Sequence, residues 1–270
     1  MVISAQTRVL VTGAASGLGL ALVRGLVERG CQVLATDLHD EASAALGGLI
    51  GVDYLPLDVC SDEAWATAHA WVVEHWGGLD LLVNNAGVAA GARLELTDMA
   101  QWQRILDVNL LGVVRGCRTF TPMLKRQGSG HLVNVASAAG LVHPPRMSEY
   151  NTVKAGVVAL SETLLHELRP FGVRVSVVCP AFFRTGLASS LQGRDADMEA
   201  AAARMINGSK VTADDVAARV ITGIERGRYL IIPGIAGRGA YWTKRLARPV
   251  HDWVMARVSA RMVARDGAVG

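Results

Sequence analysis

Arg8-Val9-Leu10-Val11-Thr12-Gly13-Ala14-Ala15-Ser16-Gly17-Leu18-Gly19 is the stretch that decides the fold of this chain. An apolar run typical of a buried strand leads into a glycine-rich loop, and a helical pattern follows. Gly13 permits a tight turn, while Gly17 and Gly19 let the backbone and a ligand approach each other closely. The helix that begins there offers free N–H groups to an anion such as pyrophosphate. The stretch predicts a dinucleotide-binding loop, and a turn that merely joins strand to helix is the alternative.

Further apolar runs follow along the chain, with helical patterns in the intervals between them. Strands are predicted at residues 8–11, 32–37, 53–57, 79–84, 130–136, 173–179 and 228–232. This alternation is typical of successive βαβ units, whose strands lie parallel. We therefore predict an α/β fold, a doubly wound Rossmann-type sheet of about seven strands with helices on both faces.

Several helix ends can also be predicted from capping residues. Ser61-Asp62 and Thr97-Asp98 stand where helices should begin, and Gly30 stands where the first helix should end. Thr212 followed by Asp215 is a variant capping box.

The composition indicates one large domain with a substantial core. The chain has 270 residues, 51% of them hydrophobic, and a mean hydropathy of +0.29, which argues against a disordered chain. The formal net charge is +3, and the basic residues concentrate near the C-terminus, so a nucleic-acid partner is not expected. Cys31, Cys60, Cys117 and Cys179 lack the spacing of metal ligands, and we expect reduced thiols and no bound metal.

Tyr150 and Lys154 stand four residues apart in a helical pattern. Residues at this spacing project from one face of a helix, so a phenol and an ammonium group can reach the same small volume. Free tyrosine has a pKa near ~10, and a cation about 4 Å away can lower that pKa toward ~7. The pair predicts a proton-transfer group that works at neutral pH, and hence an enzyme.

Asp37 ends the second predicted strand, 24 residues after Gly13. An acidic side chain there can accept hydrogen bonds from the adenosine ribose of a dinucleotide, and it repels a 2′-phosphate. Neither the glycine loop nor Leu38 and His39 supplies an arginine or lysine to receive that phosphate. NAD is therefore favoured over NADP, with Asp37 as a plain strand-end acid as the alternative.

The chain resembles the short-chain dehydrogenases/reductases, in the single-domain branch whose glycine loop reads TGxxxGxG. The family's motifs follow one another in the expected order over residues 5–235. Beyond the glycine loop and the Tyr150–Lys154 pair, they are Asp58-Val59, Asn84-Asn85-Ala86-Gly87, Asn109, Ser137 and Pro180 through Thr185. The resemblance implies hydride transfer between a nicotinamide cofactor and an alcohol or ketone.

The resemblance also implies a role for each matched residue. Tyr150 would be the general acid/base, and Ser137 would hold the substrate oxygen. Lys154 would lower the pKa of Tyr150 and grip the nicotinamide ribose, and Asn109 would hold a water that links Lys154 to solvent. The implied cofactor contacts are Gly13, Ser16, Gly17, Leu18, Gly19, Asp37, Leu38, Asp58, Val59, Asn85, Ala86, Gly87, Tyr150, Lys154, Pro180, Phe183 and Thr185.

The chain departs from the family pattern at two places. Ala181 follows Pro180 where the family usually has glycine, and its methyl group is expected to narrow the space beside the nicotinamide. Residues 151–153 replace the usual small residues inside the tyrosine–lysine motif, which leaves the geometry of that motif intact.

The predicted walls of the substrate site are mostly apolar. They are Ala138, Ala139, Leu141, Val142, Pro144, Met147, Phe182, Phe183 and Leu187, among which Ala139, Met147, Phe182 and Leu187 are the predicted substrate contacts. A hydrophobic secondary alcohol or its ketone fits such walls best, although Arg93, His143 and Arg184 could present charge to a polar substrate. Packing of these apolar residues without ligand contact is the alternative.

Other function classes stay open. A non-catalytic NAD-binding sensor or scaffold could keep the glycine loop, but the joint presence of Asn109, Ser137, Tyr150 and Lys154 favours turnover. An epimerase or dehydratase would more often carry a TGxxGxxG loop and a larger C-terminal substrate domain, and this chain has neither.

The chain is predicted to divide near residue 235. Residues 1–235 form the NAD-binding catalytic domain, and its irregular stretch 181–210, which ends in an alanine-rich short helix, is predicted to be a lid over the substrate or an ordinary surface excursion. No apolar run is long enough to span a bilayer, and the first strand leaves no room for a signal peptide. A cytoplasmic protein is expected.

Residues 236–270 are predicted to form a basic amphipathic extension, which Pro249 divides. Its apolar residues recur every fourth position as Trp242, Leu246, Val250, Val254, Val258 and Met262, beside a row of Arg257, Arg261 and Arg265. One hypothesis is peripheral binding to anionic membrane with Trp242 and Trp253 as anchors. The other, favoured by how the family uses such extensions, is packing on the protein's own core or on a neighbouring subunit of a homodimer or homotetramer.

Overall fold

The computed structural model describes residues 3–184, 191 and 195–266 and contains a parallel sheet of seven strands. The strands are β1 (Arg8–Thr12), β2 (Gln32–Asp37), β3 (Val52–Pro56), β4 (Leu81–Asn84), β5 (Gly130–Val135), β6 (Val173–Val178) and β7 (Leu230–Ile231). Their order is β3-β2-β1-β4-β5-β6-β7, so the chain winds outward in both directions from β1 and β4. The predicted doubly wound Rossmann-type sheet is confirmed.

Helices cover both faces of this sheet. They are α1 (Gly17–Val27), α2 (Asp62–Trp76), α3 (Met99–Leu106), α4 (Gly112–Gln127), α5 (Ala139–Val142), α6 (Ser148–Leu168), α7 (Ala196–Asn207), α8 (Ala213–Glu225), α9 (Ile235–Leu246) and α10 (Arg248–Asp266). On one face α1 packs against α8, and on the other face lie α2, α4 and α6.

The side chains of β1 show how the sheet supports two cores. Val9 and Val11 join an apolar cluster with α1 and α8, whereas Leu10 joins a second cluster with α2, α4 and α6. All three side chains are fully buried. Because helices cover both faces of a parallel sheet, its strands are apolar on both sides, which explains the unbroken apolar runs in the sequence.

The predicted helix caps are confirmed. The side chains of Ser61 and Asp98 accept hydrogen bonds from the first turns of α2 and α3. Thr212 and Asp215 form a reciprocal capping box at the start of α8. Gly30 lies in the turn after α1 with a φ of 80°, a conformation that favours glycine.

Two strands, β4 and β7, begin two residues later than predicted, and side chains make hydrogen bonds at the first predicted residue of each. The amide group of Gln127 accepts from the N–H of Leu79 at 3.0 Å and donates to its carbonyl oxygen at 2.8 Å, and β4 begins at residue 81. The hydroxyl of Ser176 donates to the carbonyl oxygen of Arg228 at 2.6 Å, and β7 begins at residue 230.

A widened turn joins α3 to α4. Residues Asp107–Leu111 form a π-helical turn, whose hydrogen bonds reach one residue further along the chain than those of an α-helix. Asn109 lies in this turn and is fully buried. Such turns are frequent at functional sites because they redirect the side chains that they carry.

The C-terminal extension forms α9 and α10, which are separated at Ala247. Pro249 lies in the first turn of α10, where proline is tolerated, so the predicted division is confirmed. The apolar residues that recur every fourth position do not all face the same way, because the helix breaks at Ala247 and because residues four apart drift by about 40° around a helix. Val254 is exposed, whereas Val258 is half-buried. Among the described residues, no helix is both long and apolar enough to cross a membrane.

Candidate functional site

The loop between β1 and α1 closes so tightly that two positions require glycine. Gly13 has a φ of 64°, and a Cβ atom there would lie 2.8 Å from the Cα atom of Ala86. A Cβ atom on Gly19 would lie 2.0 Å from the carbonyl oxygen of Gly13. Backbone atoms occupy both places, so the loop takes this shape only with glycine at each.

The loop after β4 braces the glycine loop. The Nδ2 atom of Asn85 donates to the carbonyl oxygens of Thr12 and Gly13 at 2.9 and 3.2 Å. The hydroxyl of Thr12 accepts from the N–H groups of Asn85 and Ala86, both at 3.0 Å. The bracing role of Thr12 was missed by the sequence analysis, and its place directly before Gly13 is the signal that could have shown it.

The first turn of α1 is suited to an anion. Its leading N–H groups have no partner inside an α-helix, and the helix dipole favours negative charge at this end. Ser16 is the N-cap residue of α1, but its side chain accepts no hydrogen bond from the first turn. That turn also contains no acidic residue. Gly17 opens the helix with a φ of 53°, whereas the side chain of Leu18 is buried in the core, so only the backbone of Leu18 can face a ligand.

Asp37 lies at the carboxyl end of β2 and is fixed against the glycine loop. Its Oδ2 atom accepts from the N–H of Ala15 at 2.9 Å, and its Oδ1 atom accepts from the N–H of Leu38 at 2.8 Å. Each carboxylate oxygen can accept a second hydrogen bond. The carboxylate is therefore held in place and can still bind a ribose hydroxyl.

Asp58 and Val59 reach the same edge of the sheet from β3. The Oδ1 atom of Asp58 accepts from a backbone N–H of the following turn at 2.9 Å. Val59 is buried against α4, where a Cβ atom on Gly112 would lie 2.9 Å from its Cγ2 atom. Val59 also borders a small cleft together with Thr12 and Ala86. Val59 and Ala86, which were both predicted for the cofactor and follow different strands, therefore meet beside the end of β1.

Tyr150, Ser137 and Lys154 meet at the carboxyl ends of β5 and β6. Tyr150 is 8% exposed, and the side chain of Ser137 lies near enough to its hydroxyl to lower its pKa. The hydroxyl of Ser137 also accepts from the N–H of Ala139 at 3.1 Å. The Nζ atom of Lys154 donates to the carbonyl oxygen of Val135 at 3.0 Å and lies 5.8 Å from the centre of the Tyr150 ring.

Burial dominates the titration of this group. It raises the pKa of Tyr150 to about 12, and the hydrogen bond from Ser137 only partly offsets that rise. Burial also lowers the pKa of Lys154 to about 8. In this structure burial therefore moves the pKa of Tyr150 away from neutrality, and the lowering of that pKa expected from Lys154 stays a prediction.

Asn109 anchors the loop after β4 beside Lys154. Its Nδ2 atom donates to the carbonyl oxygen of Val88 at 3.0 Å, and its Oδ1 atom accepts from the N–H of Val88 at 3.1 Å. A Cβ atom on Gly87 would lie 2.7 Å from Asn109 Oδ1 and 3.6 Å from Lys154 Nζ. The two side chains therefore border the same narrow space, and the water expected there stays a prediction.

Comparison with known proteins identifies the class of this site. The family model described as short chain dehydrogenase matches residues 7–196, which is more than half of the chain. The chain belongs to the short-chain dehydrogenases. It is therefore an oxidoreductase of that family that acts on CH–OH donors and binds a nicotinamide cofactor.

Individual relatives of this dehydrogenase are similar over most of its length. The 3-alpha-(or 20-beta)-hydroxysteroid dehydrogenase of Mycobacterium bovis is 36% identical over 178 residues, 65% of this chain and 68% of that protein. A solved short-chain dehydrogenase/reductase from Burkholderia phymatum in complex with NAD has a TM-score of 0.85 at 29% identity, covering 93% of this chain and 96% of that one. A short-chain dehydrogenase from Burkholderia cenocepacia J2315 in complex with NADP has a TM-score of 0.80 at 27% identity, covering 95% and 98%. Structures similar to this dehydrogenase thus hold either cofactor.

The predicted substrate walls of the dehydrogenase are only partly brought together. Ala139 and Met147 are buried in one apolar cluster with Tyr150. The side chain of Phe182 is 44% exposed, and Phe183 packs instead against the core cluster on the α1 side of the sheet. The first pair therefore lies at the reacting group, whereas substrate contact by Phe182 stays a prediction.

The predicted lid is described in part. Thr185 and Leu187 lie outside the described residues, and so does most of the stretch between Arg184 and α7. The alanine-rich piece forms α7, a helix as predicted, with Asp195 as its N-cap. The carbonyl oxygen of Pro180 accepts a hydrogen bond from a backbone N–H just after β5, which ties the start of this stretch to the loop that carries Ser137.

Arg93 and His143, which could have presented charge to a polar substrate, contact other residues of the dehydrogenase instead. The Nε atom of Arg93 lies 2.9 Å from Oδ2 of the buried Asp195, which ties α7 to the loop after β4. The Nδ1 atom of His143 lies 2.6 Å from Nζ of Lys244, and its Nε2 atom lies 3.2 Å from the carbonyl oxygen of Gly140. Burial and the charge of Lys244 lower the pKa of His143, so its ring is neutral at pH 7.

Ala181 faces the C-terminal extension. A Cβ atom on Gly237 of α9 would lie 3.5 Å from the methyl group of Ala181 and 3.9 Å from that of Ala138. Lys244, on the same helix, donates to the carbonyl oxygen of Leu141 at 2.7 Å. The methyl group of Ala181 therefore lies against α9, and its expected effect on the nicotinamide space stays a prediction.

The cysteines of the dehydrogenase are all free thiols. Burial raises the pKa of Cys179, beside Lys154, to about 12, so this thiol stays protonated. Within the part of the chain that the structure describes, no group of three or more His, Cys, Asp or Glu is placed to hold a metal ion.

Proposed function

We propose that this dehydrogenase interconverts a hydrophobic secondary alcohol and its ketone, with NAD as the preferred cofactor and Tyr150 as the proton-transfer group. The observation that carries the proposal is the meeting of Tyr150, Ser137 and Lys154 at the carboxyl edge of the sheet. The glycine loop ends at the same edge, where ligands of open α/β sheets bind. The similarity to a hydroxysteroid dehydrogenase supports the substrate class.

Tyr150 moves one proton in each direction of this reaction. With a pKa of about 12 its phenol holds its proton at pH 7 and gives it to the ketone oxygen during reduction. In oxidation Tyr150 must first give up its own proton along the route through Lys154, and its oxygen then takes the proton of the alcohol. Ser137 donates to the same substrate oxygen and holds it in register. Bound NAD supplies the acceptor for the hydride that leaves the alcohol carbon.

Lys154 and Asn109 supply the route by which Tyr150 exchanges its proton. The pKa of about 8 means that Lys154 can both hold and release a proton near physiological pH. Asn109 lies beside it and faces the same narrow space at Gly87. A water molecule at that place would carry the proton between Lys154 and solvent.

The described residues fit NAD. The first turn of α1 would bind the pyrophosphate, Asp37 the adenosine ribose, and Val59 the adenine. The ammonium group of Lys154 would donate hydrogen bonds to the hydroxyl groups of the nicotinamide ribose. Gly13 and Gly19 support this fit because the loop can take its closed shape only when neither position carries a Cβ atom.

We expect Asp37→Ala to reduce the preference for NAD by at least about tenfold, which corresponds to one charged hydrogen bond. The substitution removes the acceptor for the ribose hydroxyl and the repulsion of a 2′-phosphate. The measurement is kcat/KM with NAD and with NADP. Asp40→Ala is the matched control, since Asp40 is an exposed acid three residues further on. A wild type that used NADP as well as NAD would overturn this interpretation of Asp37.

The surroundings of Tyr150 favour an uncharged substrate. The buried residues clustered with it are Ala90, Ile105, Ala139, Met147, Val153 and Met198. Arg93 is paired with Asp195, and His143 is neutral and hydrogen-bonded. A carboxylate on the substrate would therefore leave water without gaining a cation from either of these residues.

A panel of secondary alcohols and ketones tests the function, with NADH absorbance as the readout. We expect turnover of bulky apolar alcohols, and a kcat/KM at least about tenfold lower for a carboxylated alcohol of the same ring size. Preference for the carboxylated member would reject the hydrophobic substrate class. Binding of NAD in calorimetry without turnover of any member would favour the alternative of a non-catalytic NAD-binding sensor or scaffold.

We also expect a homodimer or homotetramer, formed through the helices around Asn109 and Tyr150. Family members commonly assemble, and these helices are the surfaces implied by the family resemblance. A cytoplasmic location, with membrane contact only at the surface, likewise stays a prediction.

A further inference from the structure

The last two helices present a surface that the proposed reaction does not use. It consists of Ile235, Arg238, Trp242, Arg245 and Leu246 on α9 and of Val250, Trp253, Val254, Arg257 and Arg261 on α10, all of them exposed, and it is called the C-terminal face below. We propose that the C-terminal face binds the surface of an anionic phospholipid bilayer. The helices would lie flat in the interface between headgroups and acyl chains, without crossing it.

The two sides of α10 differ in burial. One stripe along the helix is buried or half-buried and consists of His251, Met255, Val258 and Met262. The spacing of these residues places them on one side of the helix. Because α10 packs against α9, we infer that this buried side faces α9. Trp253 and Arg257 lie on the opposite side and Arg261 lies on its flank, and all three are exposed. The fold's own packing therefore leaves that side uncovered.

The exposed apolar residues are those that membrane interfaces favour. Trp242 and Trp253 are 51% and 54% exposed, and Ile235 and Leu246 are 80% and 77% exposed. By contrast, Trp65 in the core is fully buried. Tryptophan prefers the interfacial depth of a bilayer because its ring is apolar and its N–H needs a polar partner.

Arginines surround these anchors. The guanidinium group of Arg257 lies 3.9 Å from the ring centre of Trp253, so cation and aromatic ring are presented together. Residues 235–266 hold seven arginines and lysines against two aspartates, a net charge of +5, whereas the whole chain carries +3. The rest of the chain is therefore slightly acidic. Of the two aspartates, Asp252 is paired with Arg248.

This charge selects a bilayer over a second copy of the chain. In a two-fold contact the same face meets itself, so two segments of +5 would be brought together. An anionic bilayer reverses the sign of that interaction, and each basic residue near its surface contributes about 1 kcal/mol. The aliphatic residues Ile235, Leu246 and Val250 then enter the acyl boundary instead of water.

Co-sedimentation of the full chain with vesicles tests the proposal. The vesicles are phosphatidylcholine alone or phosphatidylcholine with about 30% phosphatidylserine, at about 0.05 M and 0.5 M salt, conditions that separate screened from unscreened charge. We expect binding to the anionic vesicles at low salt, with a blue shift of tryptophan emission. Binding should weaken at high salt and be slight with the neutral vesicles.

Two variants separate the contributions of charge and of aromatic anchors. Arg257→Glu with Arg261→Glu should lower the partition coefficient on anionic vesicles by more than about tenfold, from the loss of several elementary charges. Trp242→Ala with Trp253→Ala should also lower it and should remove most of the blue shift. Arg118→Glu with Arg126→Glu, two exposed positions on α4, is the matched control and should bind like wild type.

Several outcomes would overturn the proposal. Wild-type protein that stays in the supernatant with both kinds of vesicle has no such membrane affinity. Equal loss of binding in the α4 control would mean that net charge alone acts. If Trp242→Ala with Trp253→Ala instead reduced the size of an oligomer in analytical ultracentrifugation, without any vesicle binding by wild type, the C-terminal face would belong to a second copy. These outcomes are independent of turnover, so they do not depend on the proposed reaction.

Discussion

Replacing Tyr150 with phenylalanine is expected to lower kcat by about 10²–10⁴-fold, the usual contribution of a positioned proton-transfer group. NAD affinity should stay nearly unchanged, because the phenol oxygen acts on the substrate and not on the cofactor. The fold should tolerate the change. Ser137 keeps its hydrogen bond from the N–H of Ala139 at 3.1 Å, so its hydroxyl is not left unpaired.

Single-turnover and steady-state rates with an alcohol from the panel measure this effect, and calorimetry measures NAD binding. Tyr229→Phe is the matched control, since it removes a part-buried hydroxyl that donates to the carbonyl oxygen of Val158. Lys154→Met should lower both turnover and NAD affinity. If Tyr150→Phe kept more than about a tenth of the wild-type rate, a loss below ~1.4 kcal/mol, the proton-transfer role would be wrong.

Replacing Gly19 with alanine should abolish tight NAD binding and destabilise the fold. The new Cβ atom would lie 2.0 Å from the carbonyl oxygen of Gly13 and 2.7 Å from Nδ2 of Asn85, so the glycine loop and its brace must both move. Overpacking of this kind costs about 1–3 kcal/mol. The displaced loop no longer matches the pyrophosphate, and we expect the dissociation constant for NAD to rise by more than about a hundredfold, or 2.7 kcal/mol.

Thermal unfolding with and without NAD measures both effects. Wild type should be stabilised by saturating NAD, whereas Gly19→Ala should unfold at a lower temperature and gain little from the cofactor. Gly48→Ala is the control, because an added Cβ atom there meets nothing within 4 Å. A Gly19→Ala protein that bound NAD like wild type would show that the loop does not hold the pyrophosphate.

The fold could be predicted because its determinants are local. Apolar runs marked the strands, and Ser61, Asp98 and Thr212 marked helix starts through hydrogen bonds to residues only three positions away. The spacing of Tyr150 and Lys154 also placed them on one face of α6. Each of these inferences needs only the geometry of a helix or strand, which neighbouring residues determine.

Features that depend on distant residues could not be predicted in the same way. Arg93 and Asp195 are 102 residues apart, and His143 and Lys244 are 101 residues apart. No local sequence pattern therefore predicts either pair. The spacing of Tyr150 and Lys154 shows a neighbouring cation but does not show how deeply the phenol is buried. Burial is a property of the whole fold, and here it raises the pKa of Tyr150.

The number of residues in the π-helical turn at Asp107–Leu111 determines how α3 and α4 are oriented relative to each other. One residue rotates a helix by about 100°, so deleting one residue here would let α3 and α4 join as a regular helix while turning one of them away from its partner surface. Ile105 on α3 and Gly116 on α4 are both buried, and a continuous helix could not keep both faces seated. In an evolving lineage, substitutions at the positions of this turn other than Asn109 are therefore more easily accepted than a change in its number of residues.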